Sequence, residues 1–461
     1  MEGCRQLPAE KGEITAFLSL IFLLLLAFTG SVIESASIQI SKNYKKADMV
    51  RAMESVFAEY HRDLLEEYDI FALDGTYGRQ EFSYENLTER LSHYGASSIE
   101  NKVEGIEYLT DHSGQPFYDQ AMAYMSTITG LDRLEGLSGE AEIWKEQEEN
   151  SRQYEGLDEA TNEELQSELN AAEKQLEDQD NPLQNISGLK QSPLLYQVMQ
   201  EPDSISQKHL DLSGLASHRQ NRKGEGSFPK KEKDLGIPGT FLFGEYLLTH
   251  FSNKLKPAED KAIAYETEYL IAGKESDREN LESVLSKLLF VRFGINYAYL
   301  LTDPEKQGEA EALALAITTV IVFPEIAGLL KQALLLAWAY GETIIDLRTL
   351  MEGHKVVLVK SSSTWNLSLA GLKKLGTNED AGTGTDSEEG LDYEGYLRVL
   401  LVLEAKETLS MRCIDLIESN MRLKGQEYFS GDSCITNLKT VSTCRLRRGI
   451  EYRFGNVYGY H

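Results

Sequence analysis

In the segment GTGTDSEEG, Asp386, Glu388 and Glu389 set three carboxylates within four positions, a grouping whose chemistry would be calcium chelation. The segment lacks the alternating oxygen ligands of an EF-hand loop, so it reads as solvated surface charge. His112 follows Asp111, but one adjacent pair has no metal-ligand spacing, and the remaining histidines are scattered. The chain has no GxxxxGKS/T for phosphate, no GxGxxG after a strand and no HExxH, and no GxSxG or SxxK stands with suitable partners. No two carboxylates recommend themselves as a general acid and base. No catalytic residue, cofactor or metal is assigned, and the chain is expected not to be an enzyme. The rival reading is a cell-envelope hydrolase or a surface receptor whose site is too dispersed to be seen in one sequence.

Four cysteines, Cys4, Cys413, Cys434 and Cys444, are too few for a disulfide scaffold and include no CxxC pair. Cys434 and Cys444 either close a short loop near the C-terminus, if the bulk lies outside the cell, or stand as free or buried thiols. Among 461 residues, 46 basic side chains face 74 acidic ones, for a net charge of −28. Such a chain is repelled by nucleic acid and by anionic headgroups and suits a soluble surface or a cationic partner, so no nucleic-acid partner is expected. The length allows one large or two medium domains with real cores.

The elements that would carry any function begin with a membrane segment. Ile14 to Ile33 is uncharged over twenty residues, with Leu20, Phe22, Leu24 and Leu26 at its centre. About 20 helical residues cross the ~30 Å hydrocarbon layer, more than the ~7–15 of a secretory signal. The nearest cleavage candidate, ESAS, has Glu34 at its outer position, so an uncleaved, single-pass anchor is expected. Ile40, Tyr44, Ala47, Val50, Phe57, Tyr60, Leu64 and Tyr68 then follow mostly three- and four-residue spacing, and no Gly or Pro lies between Ser31 and Leu73. This predicts an amphipathic stalk over residues 34–72. Lys42, Lys45, Lys46 and Arg51 outnumber Arg5 and Lys11 of the tail, which by a strict count would put the far side inside. Long domains translocate largely regardless of charge, so residues 1–13 are expected in the cytoplasm and the bulk outside.

Beyond the stalk, YDIFALDGTYG and VEGIEYL read as strands, making 73–134 the first part of the ectodomain. Residues 135–238 are expected to hold an exposed acidic helix, with Leu165, Leu169, Ala172 and Leu176 in heptad spacing, and then a flexible linker over Lys208–Lys233. From Gly239 to the end, helical spacing dominates. Leu313–Phe323 and Ile326–Tyr340 read as two buried helices rather than a second span, because Pro324 and Glu325 interrupt them. TVSTCRLRRGIEYRFGNVYGY alternates as a hairpin, and its Ile450, Tyr452 and Phe454 share a face that needs a cover, for which the stalk is the nearest candidate. The expected fold class is α+β and mostly helical: an anchor continuing as a stalk, and a helical body with a small antiparallel sheet that includes the C-terminal hairpin.

The block KGEITAFLSLIFLLLLAFTGSVIESASIQISKNYKKADMVRAMESVFAEYHRDLLEEYDIFALDG resembles the start of TadE/TadG-like pseudopilins. The phrases FGEYLLTHFSN, YETEYLIAGKESDRENL, VRFGINYAYLLTD, ALLLAWAYGETIIDLRTLMEGHKVVLVKSSSTWNLSL and YLRVLLVLEAKETLSMRCIDLIESNMR resemble an uncharacterised domain family of Gram-positive bacteria, encoded beside Tad (Flp-type) pilus components. The resemblance implies a minor pilin-like or accessory subunit whose partners are other pilin-like subunits or the Tad machinery, besides membrane lipid. Prepilin cleavage after Gly12 would leave Glu13 first and Phe17 fifth, where that processing usually wants Glu. The site Gly12–Glu13 departs from the pattern, which again favours an uncleaved anchor.

Overall fold

The structure, a computed structural model, describes residues 10–128, 134–172, 174, 176, 182–228, 236–377, 379–380 and 382–460. Residues 1–9 of the expected tail, with Cys4, lie outside them, as do 229–235 of the expected linker. In chain order the elements are α1 (Glu10–Phe57), α2 (Arg62–Tyr68), β1 (Leu73–Asp74), α3 (Tyr84–Leu91), β2 (Glu100–Tyr108), α4 (Asp111–Ile128), α5 (Leu134–Ala171), α6 (Pro182–Lys190) and α7 (Leu194–Val198). There follow α8 (Gly236–His250), α9 (Glu266–Ala272), α10 (Asp277–Thr302), α11 (Pro304–Val320), α12 (Ala327–Met351), α13 (Tyr393–Leu403), α14 (Lys406–Leu423), β3 (Cys434–Arg445) and β4 (Glu451–Gly459). The fold is α+β and mostly helical, with one small antiparallel sheet.

The chain builds two apolar cores. The smaller one lies under the second half of α1, where Met49, Ala52, Met53, Val56 and Phe57 meet Leu87, Leu91, Ile106, Leu438 and Phe454. Its sheet is organised by β3. One edge of β3 pairs with β2 (Glu100↔Thr443 to Tyr108↔Ile435); on the other, β1 takes Leu73↔Ile435 and β4 takes Asn437↔Gly459 to Arg445↔Glu451. Strand alternation turns Leu438, Thr440, Ser442 and Cys444 inward. The stalk is the cover: Lys42 lies over the Tyr452 ring, and Phe57 packs on Tyr458 and Tyr460 with centroids 5.0 Å apart.

The stalk helix is shorter than its spacing predicts. It ends at Phe57, and residues 58–61 turn the chain into α2 although neither Gly nor Pro is present. His61 makes the break: its Nδ1 accepts from Leu64 N at 3.2 Å and caps α2, while its own N–H donates to Ala72 O at 2.8 Å. Leu64 and Tyr68 then enter the larger core, so the apolar stripe belongs to two different interiors.

That larger core is the helical body. α12 is its axis, buried from Ala333 to Leu347 and packed on α10, α11 and α5. Helix starts are legible in the chain: Ser276 and Glu279 form a capping box on α10, and Asp303 caps α11 ahead of Pro304. α10 passes the length and apolarity test for a membrane span, with a mean hydropathy of 1.3, but 61% of that window is buried as core. The acidic helix α5 is not simply exposed. Its second half docks on α10 and α12 through Ser151, Thr161, Leu165 and Leu169, all buried.

The expected flexible linker is an ordered strap over residues 208–228. Leu210, Leu215 and Ala216 are buried, and Arg219 forks onto Glu418 with two 2.6 Å bonds and reaches Asp432 at 3.1 Å. The strap then crosses to the sheet, where Glu225 and Ile106 exchange backbone bonds at 2.8 and 2.9 Å. Local polarity hid this order because the partners lie some two hundred residues away. Phe57→Ala should cost about 3–5 kcal/mol, the usual range for a buried aromatic, in denaturant unfolding of the detergent-solubilised chain. A loss under about 1 kcal/mol would mean that stalk and sheet do not share a core.

Candidate functional site

Among the described residues, three polar clusters and a cleft come nearest to chemistry, beside the apolar N-terminal helix. In the first cluster Arg292 and Asp346 are buried and paired at 2.5 Å, and Lys360 Nζ lies 2.6 Å from both Glu342 and Asp346. Burial alone would raise the Asp346 pKa, but the Arg292 and Lys360 charges outweigh it and hold the carboxyl below its usual value. Every charged end is occupied. Arg292 also donates to Val357 O and Leu358 O at 2.8 and 2.7 Å, Lys360 to Thr364 O at 3.1 Å, and Glu342 accepts from Leu367 N at 2.7 Å. The cluster clamps the 356–368 loop onto α10 and α12.

A cleft of about 860 Å³ opens beside it, lined by Ile295, Tyr299, Asp303, Pro304, Val359 and Lys360. Its Tyr299, Asp303 and Lys360 side chains are spent on structure. The Tyr299 hydroxyl donates to Asp303 at 2.5 Å and holds that carboxyl low, and Asp303 caps α11. The second cluster is the nearest approach to a nucleophile: Ser217 Oγ lies 2.7 Å from His218 Nδ1 and also donates to Asp415. The carboxylate meets the serine rather than the histidine, so it takes the proton a general base would need and leaves the imidazole without an orienting carboxylate among the described residues. Tyr269 donates to the same Asp415 oxygen at 2.8 Å, which makes the group a strap anchor.

In the third cluster Glu266, Glu268 and Asp277 are buried together around α9. Glu268 accepts from Lys254 N and the Tyr393 hydroxyl, each at 2.8 Å, and its other oxygen has no partner among the described residues. Burial pushes Glu268 up to about 7. The group is sealed in the core.

Asp386, Glu388 and Glu389 stay in an irregular surface segment, and no group of three or more ligand side chains gathers for a metal among the described residues. Asp111 is used up by Tyr108 N at 2.7 Å and Gly224 N at 2.9 Å, so it forms no ligand pair with His112. The disulfide reading of Cys434 and Cys444 is overturned. They stand at opposite ends of β3 as free, buried thiols. Ten strand residues span ~33 Å, whereas a bridge needs Cα atoms within ~7 Å.

The residues expected to form an anchor present a different surface. Leu20, Phe22, Leu24 and Leu26 are all exposed on α1, in a stretch with mean hydropathy 2.5 and nothing buried. This part of α1 is long and apolar enough to cross a membrane, and a signal sequence would pass the same test. Gly12 and Glu13 fall inside the first turn of the same helix.

A family model described as a family of unknown function, DUF5702, matches residues 172–446, more than half of the chain. The chain belongs to this family. The DUF5702 span runs from just past α5 through β3 and omits α1 to α5, β1, β2 and β4, so its one strand is paired entirely by segments outside it. No curated protein and no solved structure matches the chain.

Two measurements follow from the buried charges. Lys360→Met should cost about 3–5 kcal/mol by leaving carboxylates unpaired in the core, seen as a lowered denaturation midpoint. A neutral result would show that the 356–368 loop is held without the clamp. For Glu268 the raised pKa disfavours the charged form in the fold. Its contribution to stability is therefore intact below the ordinary glutamate pKa, ~4.3, falls as pH rises to about 7, and is flat above, a change on the order of 3 kcal/mol. The stability difference between wild type and Glu268→Gln should slope across that window, and a pH-independent difference would refute the buried acid.

Proposed function

We propose that the protein is a membrane-anchored, non-catalytic subunit of a surface assembly, held by residues 14–33 with its folded body outside the cell. It joins a Tad-type pilus or secretion apparatus as a minor pilin-like or accessory component. The observation that carries this reading is the two-sided use of α1. One side of its upper half, Met49, Ala52, Met53 and Val56, is buried under the protein's own sheet. The opposite side keeps Ile40, Tyr44 and Val50 exposed at 54%, 68% and 44%. With Ile33 and Ala47 these follow three-, four- and seven-residue spacing, so they form one stripe that continues the lipid-facing segment upward.

An unbroken helix of this kind offers a partner helix the same apolar seam inside the bilayer and above it. The partner is an apolar pilin-like helix, which accords with the TadE/TadG-like resemblance of the N-terminal block. The described clusters that could do chemistry are already committed to caps, clamps and strap anchors, which supports assembly over catalysis.

Replacing Ile40, Tyr44 and Val50 together by Ser should leave thermal unfolding of the body within about 0.5 kcal/mol, as for surface changes, yet abolish incorporation into the apparatus. Leu24→Lys should impair insertion at a cost of about 2.5–3.5 kcal/mol. Exchange of residues 14–33 for an unrelated single span should likewise leave the body folded and unincorporated. Full incorporation of the Ser variant and of the exchanged anchor, judged by pulldown and pilus assembly, would reduce the segment to a plain tether and sink the proposal.

A further inference from the structure

The hairpin joining β3 to β4 carries a second surface, one that only the fold brings together. Its turn, Arg447–Gly449, is not at the far end of the molecule: Arg448 pairs with Glu34 of α1 at 2.6 Å. Glu34 is the first charged residue after the apolar run, so the turn lies where the helix leaves the hydrocarbon. The headgroup layer adds only about 5–7 Å on each side of the ~30 Å core, and the turn stands within it. β4 then climbs beside the stalk, reaching Lys42 at Tyr452 and Phe57 at Tyr458. Lys42 is eight residues above Glu34, or about 12 Å.

Charge at this end opposes the rest of the chain. Lys42, Lys45 and Lys46 of the stalk and Arg445, Arg447 and Arg448 of the hairpin outnumber Glu34, Glu451 and Glu100, which stands on β2 across from Thr443, in a protein of net charge −28. Glu34 is taken by Arg448, and Asp48 higher on the stalk by Arg51. Arg445 and Arg447 are exposed and have no carboxylate partner among the described residues. Ile450 is also exposed, beside the stacked rings of Tyr452 and Phe454, which gives the basic tip an apolar edge.

The geometry points to a docking surface for anionic, phosphate-bearing lipid headgroups, formed by the hairpin turn together with the base of the stalk. This rests on the anchor reading of residues 14–33 and adds to it a second, electrostatic contact with the same leaflet. The arginines bind headgroup phosphates, Ile450 lies against the interface, and the acidic body is held away from the bilayer. One contact at the anchor and another at the hairpin fix the tilt and the rotation of the body above the membrane, which a single helix leaves free.

The test uses the full chain with Cys4→Ser and Ile450→Cys carrying a fluorophore, the remaining cysteines being buried. It is reconstituted in phosphatidylcholine vesicles with and without phosphatidylglycerol, and headgroup-attached nitroxide quenching is read. Anionic vesicles should quench the label strongly, high salt should weaken that quenching, and Arg445→Gln with Arg447→Gln and Arg453→Gln, the last exposed on β4 three residues past Ile450, should remove the dependence on lipid charge. At about fivefold per cation, the three changes together shift the docked ratio roughly 100-fold. Vesicle flotation separates the two readings. A chain that fails to float with either lipid overturns the anchor and the proposal with it. A chain that floats, but whose quenching ignores lipid charge in wild type and variant alike, overturns headgroup docking alone and assigns the patch to an acidic protein surface.

Discussion

The pairing of β3 with β2 is the contact on which the rest of the molecule depends. It joins residues 435–443 to residues 100–108 and so ties the end of the chain to the segment that follows the stalk. β1 and β4 complete the other edge, and the stalk lies across the resulting face. Without β3 the buried side of α1 has no cover, and β2 keeps neither its partner nor the strap. Gly105 shows how tight that closure is: a Cβ there would stand 2.8 Å from the Glu225 carbonyl oxygen, so only glycine admits the strap across the bulged strand.

Acidic residues serve opposite purposes in the two parts. Inside the body they are structural partners: Asp346 and Glu342 bind Lys360 and Arg292, and Glu418 binds Arg219 and Arg422. Desolvating such ions is costly, and the cost is offset only because each carboxylate also collects backbone or side-chain donors. On the outside, acidity keeps the body soluble. Six of the 46 basic side chains gather at the stalk base and the hairpin, which gives a strongly acidic chain a locally basic foot.

The long apolar helix, the strand after the stalk and the C-terminal hairpin were legible, because each rests on a local signal, apolar length or alternation. What escaped depends on distant partners. The turn at residues 58–61 uses His61 and Ala72 rather than a helix breaker, so spacing ran straight through it. The 208–228 strap reads as polar linker until Glu418 and Asp415 are placed beside it. Arg292 and Lys360 look like surface charges in FVRFG and LVKSS. Spacing alone makes the stalk stripe one face, whereas Ile40, Tyr44 and Val50 point away from the sheet and Phe57 into it. Of the residues singled out for function, the leucines of the apolar helix could be found by composition alone. The basic tip could not, because its halves lie some four hundred residues apart in the chain.

That separation also sets an order of events. The strand that covers the stalk is made more than 330 residues after the strand it pairs with. At ribosomal speeds of about 5–20 residues per second, this leaves a gap of roughly 15–70 s. For that interval Met49, Ala52, Met53 and Val56 are synthesised but have no sheet to lie under, directly above a membrane-length helix. The nascent chain therefore has a stage in which both sides of α1 are apolar and open. Whatever holds the stalk during that stage, be it lipid, a chaperone or a neighbouring helix, must release its inner side when β3 arrives and can keep its outer one.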